Sequence, residues 1–272
     1  MGYLTTEKKK VTVKTFVEMK CDGNKIAMLT AYDYTTARLI DEAGVDSILV
    51  GDSASNVMLG NDSTLPITLD EMIVYARGVA RGCQRALVVC DMPFGSYQVS
   101  PEEGVRNAVR LIRETGVDAV KLEGGEEVAP TIERIVNAGI PVVGHLGLTP
   151  QSIHKFGGYG VRARSEVEAT KLIADAQALE KAGCFAVVLE KIPASVAQQV
   201  TDLLSVPTIG IGAGSHCDGQ VLVYADAMGL TQGFEPKFLR EFAAMGEELR
   251  RGVRAYCEAV KGDEFPNESE SY

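Results

Sequence analysis

Short apolar, β-branched runs alternate along this chain with longer stretches of helical period. That rhythm predicts strand–helix units feeding a parallel sheet. The predicted strands are Ile26–Thr30, Ser47–Gly51, Ala86–Cys90, Ala119–Leu122, Pro141–Gly144, Ala186–Leu189, Thr208–Ile211 and Ala227–Leu230. Between and after them the pattern predicts helices over Tyr34–Ala43, Leu69–Arg81, Pro101–Thr115, Glu126–Ala138, Ser165–Ala182, Ala194–Leu204 and Lys237–Val260. Residues 13–20 predict one extra helix ahead of the first strand, and Gln220–Tyr224 reads as no more than a helical turn.

The punctuation fits this scheme. Gly44, Gly82, Gly116, Gly139 and Gly183 follow helical segments, where a left-handed C-cap favours glycine. Ser100 before Pro101 reads as an N-cap with proline at the first helical position. Ser165 with Glu168 three residues on fits a capping box. No linker interrupts the series, so residues 1–272 read as one domain, with flexible tails at about 1–10 and 264–272. Eight parallel strands can close as a barrel or stay open as a doubly wound sheet. The dinucleotide fingerprint that would favour the open sheet is absent after the first strand, where Thr30-Ala31-Tyr32-Asp33 stands. The glycines of Gly210–Gly214 come after the seventh strand, where barrels often bind anions on backbone N–H groups.

Composition narrows the class. The chain has 272 residues, 46% hydrophobic, enough to fill one large core. No apolar run approaches the ~18 residues of a membrane span, and no apolar stretch follows the basic residues near the start, as a secretory signal would require. The formal charge of −10 argues against a phosphate backbone as partner. Lys8, Lys9 and Lys10 form the tight basic cluster and read as a solvated tail. Six dispersed cysteines, none in a C-x-x-C pair, read as reduced thiols of a cytoplasmic protein.

The chemistry gathers at strand ends. Strands two to six finish in Asp52-Ser53, Asp91, Lys121-Leu122-Glu123, His145 and Glu190. In a barrel these carboxyl ends meet at one mouth, where active sites sit. Residues two apart share a face, so Lys121 and Glu123 point inward together. By the same rule Asp52 tops the stack Ile48–Val50, and Asp91 tops Leu87–Val89. Converging carboxylates repel, and a divalent cation relieves that cost. All-oxygen ligands from Asp52, Asp91 and Glu123 suit Mg2+. Spacing leaves Glu190 open as a fourth ligand, an ion-pair partner or a general base. It leaves His145 open as scaffold or catalyst. His154 and His216 fall in predicted loops, and Cys90 falls on the face opposite Asp91.

Several runs resemble one family. They are Thr30–Asp33, Val50–Ser53, Asp62–Pro66, Asp91–Phe94, Lys121–Gly125, Gly144–Ser152, Phe156–Tyr159 and Ile209–Gly214. In this order, over about residues 26–240, they are similar to ketopantoate hydroxymethyltransferases. The resemblance implies a (β/α)8 TIM barrel of the phosphoenolpyruvate/pyruvate superfamily. It implies transfer of a hydroxymethyl group from 5,10-methylenetetrahydrofolate to 3-methyl-2-oxobutanoate, giving 2-dehydropantoate and tetrahydrofolate in pantothenate synthesis. It implies one Mg2+ per subunit on Asp52, Asp91 and Glu123, oxo-acid contacts from Asp52, Ser53, Asp91 and Lys121, Glu190 as proton acceptor, and a homodecamer. The chain departs from the family at Asn61, near Ala225 and near Phe234, where histidine is expected.

The implied chemistry is an enolate made beside a ketone. The metal and Lys121 would stabilise its charge, and Glu190 would remove the C3 proton. Two other readings compete. One is another Mg2+-dependent C–C lyase or mutase of the same superfamily, although the Lys-Lys-Cys-Gly-His run of isocitrate-lyase-like enzymes is missing. The other is a non-catalytic barrel, which would be expected to have lost these site residues first.

Overall fold

The computed structural model describes residues 9–233 and 235–272. Two compact units emerge, up to Leu222 and from Val223 onward. In the first, α1 (Val13–Cys21) precedes the repeating series. The strands are β1 (Ile26–Thr30), β2 (Ser47–Val50), β3 (Leu87–Asp91), β4 (Ala119–Glu123), β5 (Val142–Gly147), β6 (Ala186–Glu190), β7 (Thr208–Ile211) and β8 (Gly219–Leu222). The helices between them are α2 (Tyr34–Ala43), α3 (Ala54–Val57), α4 (Leu69–Gly82), α5 (Pro101–Thr115), α6 (Ala129–Asn137), α7 (Ile153–Phe156), α8 (Glu166–Lys181) and α9 (Ala194–Leu203). Each strand pairs in parallel with the next, and β8 returns to β1, so the sheet closes as the expected barrel. Closure leaves no sheet edge to protect.

Closure also fixes what each strand must place inside. Met28, Leu49, Val89, Ala119, Val188 and Val221 belong to the cluster that fills the interior. Phe16 of α1 packs edge-on against Phe185, with ring centroids 5.8 Å apart, and both join that cluster. The extra helix thus seals the end of the barrel where the strands begin.

That end is stitched with charge. Asp46, Asp118 and Asp218 each stand just before or beside a strand and accept a neighbouring strand's N–H, from Ala27, Val88 and Thr208. Each also pairs with a cation: Arg85 at 2.9 Å, Lys10 at 2.8 Å and Lys20 at 2.8 Å. The expectation that Lys8–Lys10 are a solvated tail fails at Lys10, which also donates to Ala86 O at 2.7 Å. The chain is close enough to the barrel floor there for a buried-edge acid to capture the lysine. Lys8 lies outside the described residues.

Several predicted elements shift. The eighth strand is Gly219–Leu222, not Ala227–Leu230, and the expected helical turn at Gln220–Tyr224 is mostly this strand. Val221 supplies the interior side chain, while Gly219 sits where a Cβ would lie 2.5 Å from Ile26 O. Pairing on both flanks selected this segment over the more apolar one after it. Ala227 instead ends a short helix, α10 (Tyr224–Ala227), in the second unit. There, α11 (Met245–Lys261) starts later than the predicted Lys237. The chain before and into it is tied by backbone N–H groups of Phe242, Met245 and Gly246 to the carbonyls of Ala227, Met228 and Gly229. Gly82 ends α4 as its last residue and the cap falls on Cys83, in extended conformation. Ser165 caps α8, but the capping box stays half made because Glu168 pairs with Arg162 at 2.6 Å. His154 lies on the single turn of α7, not in a loop. Among the described residues no helix is long and apolar enough to cross a membrane. All six cysteines are free thiols.

Candidate active site

The barrel register builds the site at the carboxyl ends of the strands. Residues paired across neighbouring strands point to the same side of a sheet. Asp91 of β3 pairs with Lys121 of β4, and Glu123 of β4 pairs with His145 of β5. These four side chains therefore meet inside the mouth without help from loops. Lys121 Nζ lies 3.1 Å from Asp91 Oδ1 and 3.0 Å from His145 Nδ1. His145 Nδ1 lies 3.2 Å from Glu123 Oε1, and its Nε2 lies 3.3 Å from Glu190 Oε2 at the end of β6. Sequence reasoning thus placed Asp91, Lys121, Glu123, His145 and Glu190 together, and the structure brings them together.

Asp52 arrives by another route. The interior residue of β2 is Leu49, so Ile48 and Val50 face the helices. The expected inward stack of Ile48, Val50 and Asp52 is therefore wrong. The strand ends at Val50 and the chain turns, which breaks the two-residue alternation before Asp52. The turn carries Asp52 into the site, where its backbone N–H donates to Asp91 Oδ2 at 3.0 Å. Gly51 permits this, since a Cβ there would stand 2.7 Å from Ser53 Oγ. Ser53 Oγ in turn shares a 2.7 Å hydrogen bond with Tyr32 OH.

Two residues that sequence reasoning did not single out organise the acids. Gln151 is buried just after β5. Its side-chain amide donates to Asp52 Oδ2 at 2.9 Å and Met92 O at 3.0 Å, and its backbone N–H donates to Glu123 Oε2 at 2.9 Å. Tyr97 OH donates to Gln151 Oε1 at 2.7 Å and accepts from the Glu123 N–H at 3.0 Å. The signal available was weak: a polar side chain after proline in a strand-end run, Thr149-Pro150-Gln151.

Electrostatics follow from burial. Desolvation, then the charges of Asp91 and Glu123, push the Asp52 carboxyl well above its ordinary value despite Lys121. Burial also raises Asp91, with Lys121 opposing. It pushes Glu123 up to about 7. For Lys121 burial works against the charge, but Asp91, Glu123 and Asp52 outweigh it and keep the ammonium protonated. Burial and Lys121 lower His145, so its ring is neutral near pH 7. Accepting from the Lys121 ammonium, Nδ1 leaves the proton on Nε2, facing Glu190. Cys90, on the opposite face from Asp91, is buried, and its thiol is raised well above the ordinary range.

The donor set suits a hard cation. Asp52 and Asp91 offer adjacent carboxylates, and Asp91 Oδ1 is buried with no well-formed hydrogen bond among the described residues. Such an oxygen, beside acids that repel one another, fits a metal ligand. The three expected ligands are not gathered as they stand, since no group of three His, Cys, Asp or Glu among the described residues is poised to hold an ion. On Glu123, Oε2 already accepts the Gln151 N–H at 2.9 Å. Of the departures, Asn61 donates to Ser55 Oγ at 3.1 Å, Ala225 is buried in α10, and Phe234 lies outside the described residues.

Comparisons with known proteins give the family and the fold. A family model described as ketopantoate hydroxymethyltransferase matches residues 10–268. A 3-methyl-2-oxobutanoate hydroxymethyltransferase of Flavobacterium johnsoniae is 59% identical over 97% of each chain. One of Parabacteroides distasonis is 60% identical over 98% of this chain and 97% of that one. Among solved structures, a putative phosphonomutase from Burkholderia cenocepacia superposes with a TM-score of 0.62 at 14% identity, over 92% of this chain and 98% of that one. A phosphonopyruvate hydrolase complex with oxalate and Mg2+ gives 0.61 at 11%, over 95% and 92%. A 2,3-dimethylmalate lyase, of the PEP mutase/isocitrate lyase superfamily, gives 0.58 at 18%, over 96% and 91%. At such identities these structures share the fold.

Proposed function

Because this chain belongs to the ketopantoate hydroxymethyltransferase family, we propose that it makes 2-dehydropantoate from 3-methyl-2-oxobutanoate and 5,10-methylenetetrahydrofolate. Water supplies the hydroxyl oxygen, and tetrahydrofolate leaves. The product belongs to pantothenate synthesis. The observation that carries the reading is the buried Lys121 ammonium among Asp52, Asp91 and Glu123, with the partly open Glu190 at its rim.

Each residue has work that its position supports. Lys121 puts a fixed positive charge where an enolate oxygen would develop one of opposite sign, in a site walled from water. Ser53 and the Asp52–Asp91 turn provide polar contacts for the oxo-acid head. Glu190, whose side chain is 17% exposed where its neighbours are 3–4%, faces open space and can take the C3 proton. His145, neutral, turns its Nε2 toward that carboxylate at 3.3 Å without a well-formed hydrogen bond. Asp52, Asp91 and Glu123 are the residues that would hold Mg2+, the ion present in the phosphonopyruvate hydrolase complex. Bound there, the ion supplies a Lewis acid for the keto oxygen.

We read the remaining expectations in the same way. Free cysteines fit a reducing cytoplasm. Apolar side chains exposed on the neighbouring helices α2 and α4, Leu39 and Val74, fit self-association, with a homodecamer as the expected state. Sedimentation velocity tests that state.

The reaction is tested by proton exchange at C3 of 3-methyl-2-oxobutanoate in D2O, followed by NMR with Mg2+ and with chelator. Metal-dependent exchange in wild type, lowered about 100-fold or more in Glu190→Gln while oxo-acid binding is kept, is the expected result. Wild-type exchange in Glu190→Gln overturns the base assignment. Isocitrate-like acids or phosphoenolpyruvate turned over in place of the oxo acid would favour a lyase or mutase.

A further inference from the structure

The run Phe156-Gly157-Gly158-Tyr159 has no part in the chemistry above, yet its loop borders the mouth. Between α7 and α8 the chain passes through Gly157 and Gly158 at φ 68° and 140°, then Tyr159 and Gly160. A Cβ at any of these three glycines would meet nothing within 4 Å, so the backbone here stands clear of its surroundings. The loop is nevertheless tied to the residue after β6. Lys191 Nζ donates to Tyr159 O at 2.6 Å, and Arg162 N donates to Lys191 O at 2.9 Å. Lys191 directly follows Glu190 and holds a left-handed φ of 51°, a conformation costly for a lysine. Such strain is kept when the contacts around it fix the backbone, and here those contacts tie Tyr159 to the residue after the proposed base.

The ring itself is half open, 47% exposed. Partial burial first, and then the charges of Asp52, Asp62 and Glu190, raise its hydroxyl above the ordinary value. The hydrogen bond from Lys191 Nζ to its carbonyl holds Tyr159 on the Glu190 side of the opening. The ends of the loop, Phe156 and Arg162, stack at 4.3 Å and line a cavity of about 710 Å3 next to the mouth. That volume is in the range, roughly 300–1,000 Å3, of pockets for molecules of drug size. The loop therefore borders the site at Tyr159 and, through its ends Phe156 and Arg162, a space beside it able to take the rest of a longer ligand.

The reaction proposed above needs a second substrate with a flat, aromatic pterin ring, brought in over the oxo acid from the open side. We propose that Tyr159 is the shelf on which that pterin stacks, positioning the one-carbon unit over the carbon deprotonated by Glu190. The inference rests on the reading under Proposed function and adds to it the place of the folate. Ring stacking is the contact a pterin makes without a short sequence motif, and offset aromatic pairs hold their rings about 4.5–7 Å apart. Acids around the ring add to the fit, because the reactive form of a methylene donor carries positive charge at the nitrogen–carbon bond. A ring face and nearby carboxylates both attract such a cation.

The test separates the two substrates. Steady-state kinetics of Tyr159→Leu and Tyr159→Phe are measured with each substrate varied in turn, beside C3 exchange of the oxo acid without folate. Leu removes the ring and Phe keeps it. In Tyr159→Leu the KM for methylenetetrahydrofolate should rise about tenfold, the size of a lost stacking contact. The KM for the oxo acid and the exchange rate should stay within about twofold, and Tyr159→Phe should recover the folate KM. An unchanged folate KM in Tyr159→Leu overturns the proposal. So does a loss shared equally by oxo-acid KM and exchange, which would place Tyr159 on the oxo acid. Wild type that shows neither exchange nor folate-dependent product overturns the underlying reaction first, and so is distinguishable from both.

Discussion

Glu123 should govern how the stability of the metal-free protein depends on pH. Burial pushes its carboxyl from an ordinary 4.5 up to about 7, although Lys121 and the Gln151 amide pull it down. A raised carboxyl binds its proton more tightly in the folded state than in the unfolded chain. Across the window from 4.5 to about 7 the native protein therefore carries more protons, and stability falls as pH rises. At ~1.4 kcal/mol per pH unit, the whole window is worth about 3 kcal/mol. The upper part, from pH 5.5, is worth about 2 kcal/mol. The assay is urea unfolding with chelator from pH 5.5 to 7.5, on wild type and Glu123→Gln. The amide keeps an acceptor for the Gln151 N–H but never ionises. Asp52 is raised too, in part by the Glu123 charge, so its slope keeps its sign in the variant but weakens there, which adds to the difference. Wild type should therefore lose about 2 kcal/mol more than the variant over this range. Added Mg2+ should flatten the wild-type slope. Curves that stay parallel within ~0.5 kcal/mol would refute the claim that Glu123 is held protonated by burial.

Other changes have direct readings. Asp91→Ala should abolish Mg2+-dependent binding of the oxo acid in calorimetry, since it removes the Lys121 partner and the acceptor of the Asp52 N–H; unchanged affinity would count against Asp91 as a ligand. Gln151→Leu strips donors from Asp52 and Met92 O and an acceptor from Tyr97, and should cost about 2–4 kcal/mol of stability in urea unfolding. A cost under ~1 kcal/mol would mean that water replaces the amide. Gly147→Ala should lower both the melting temperature and turnover. Gly147 holds φ 92°, and an added Cβ would collide with the Glu190 carbonyl and lie 2.7 Å from Ile192 Cγ2. A variant with wild-type melting and rate would show that the end of β6 yields freely.

The sequence determined what local periodicity can encode. Seven of the eight strands lie where β-branched runs predict them, because inward and outward packing leaves its period in the chain itself. Strand ends in a closed barrel must converge, so Asp91, Lys121, Glu123, His145 and Glu190 are legible in the sequence as neighbours at one mouth. Only the tertiary structure decided what depends on partners far along the chain. Gly219–Leu222 became β8 because β7 and β1 together could pair with it, a choice invisible within the segment. Asp52 reached the site through a turn that breaks strand alternation, and Gln151 joined two acids 99 and 28 residues away. Lys10, still partly exposed, pairs with Asp118, 108 residues on. Hydrophobic period is written residue by residue, whereas hydrogen bonds and ion pairs across the barrel exist only once its closure has set which strand ends are neighbours.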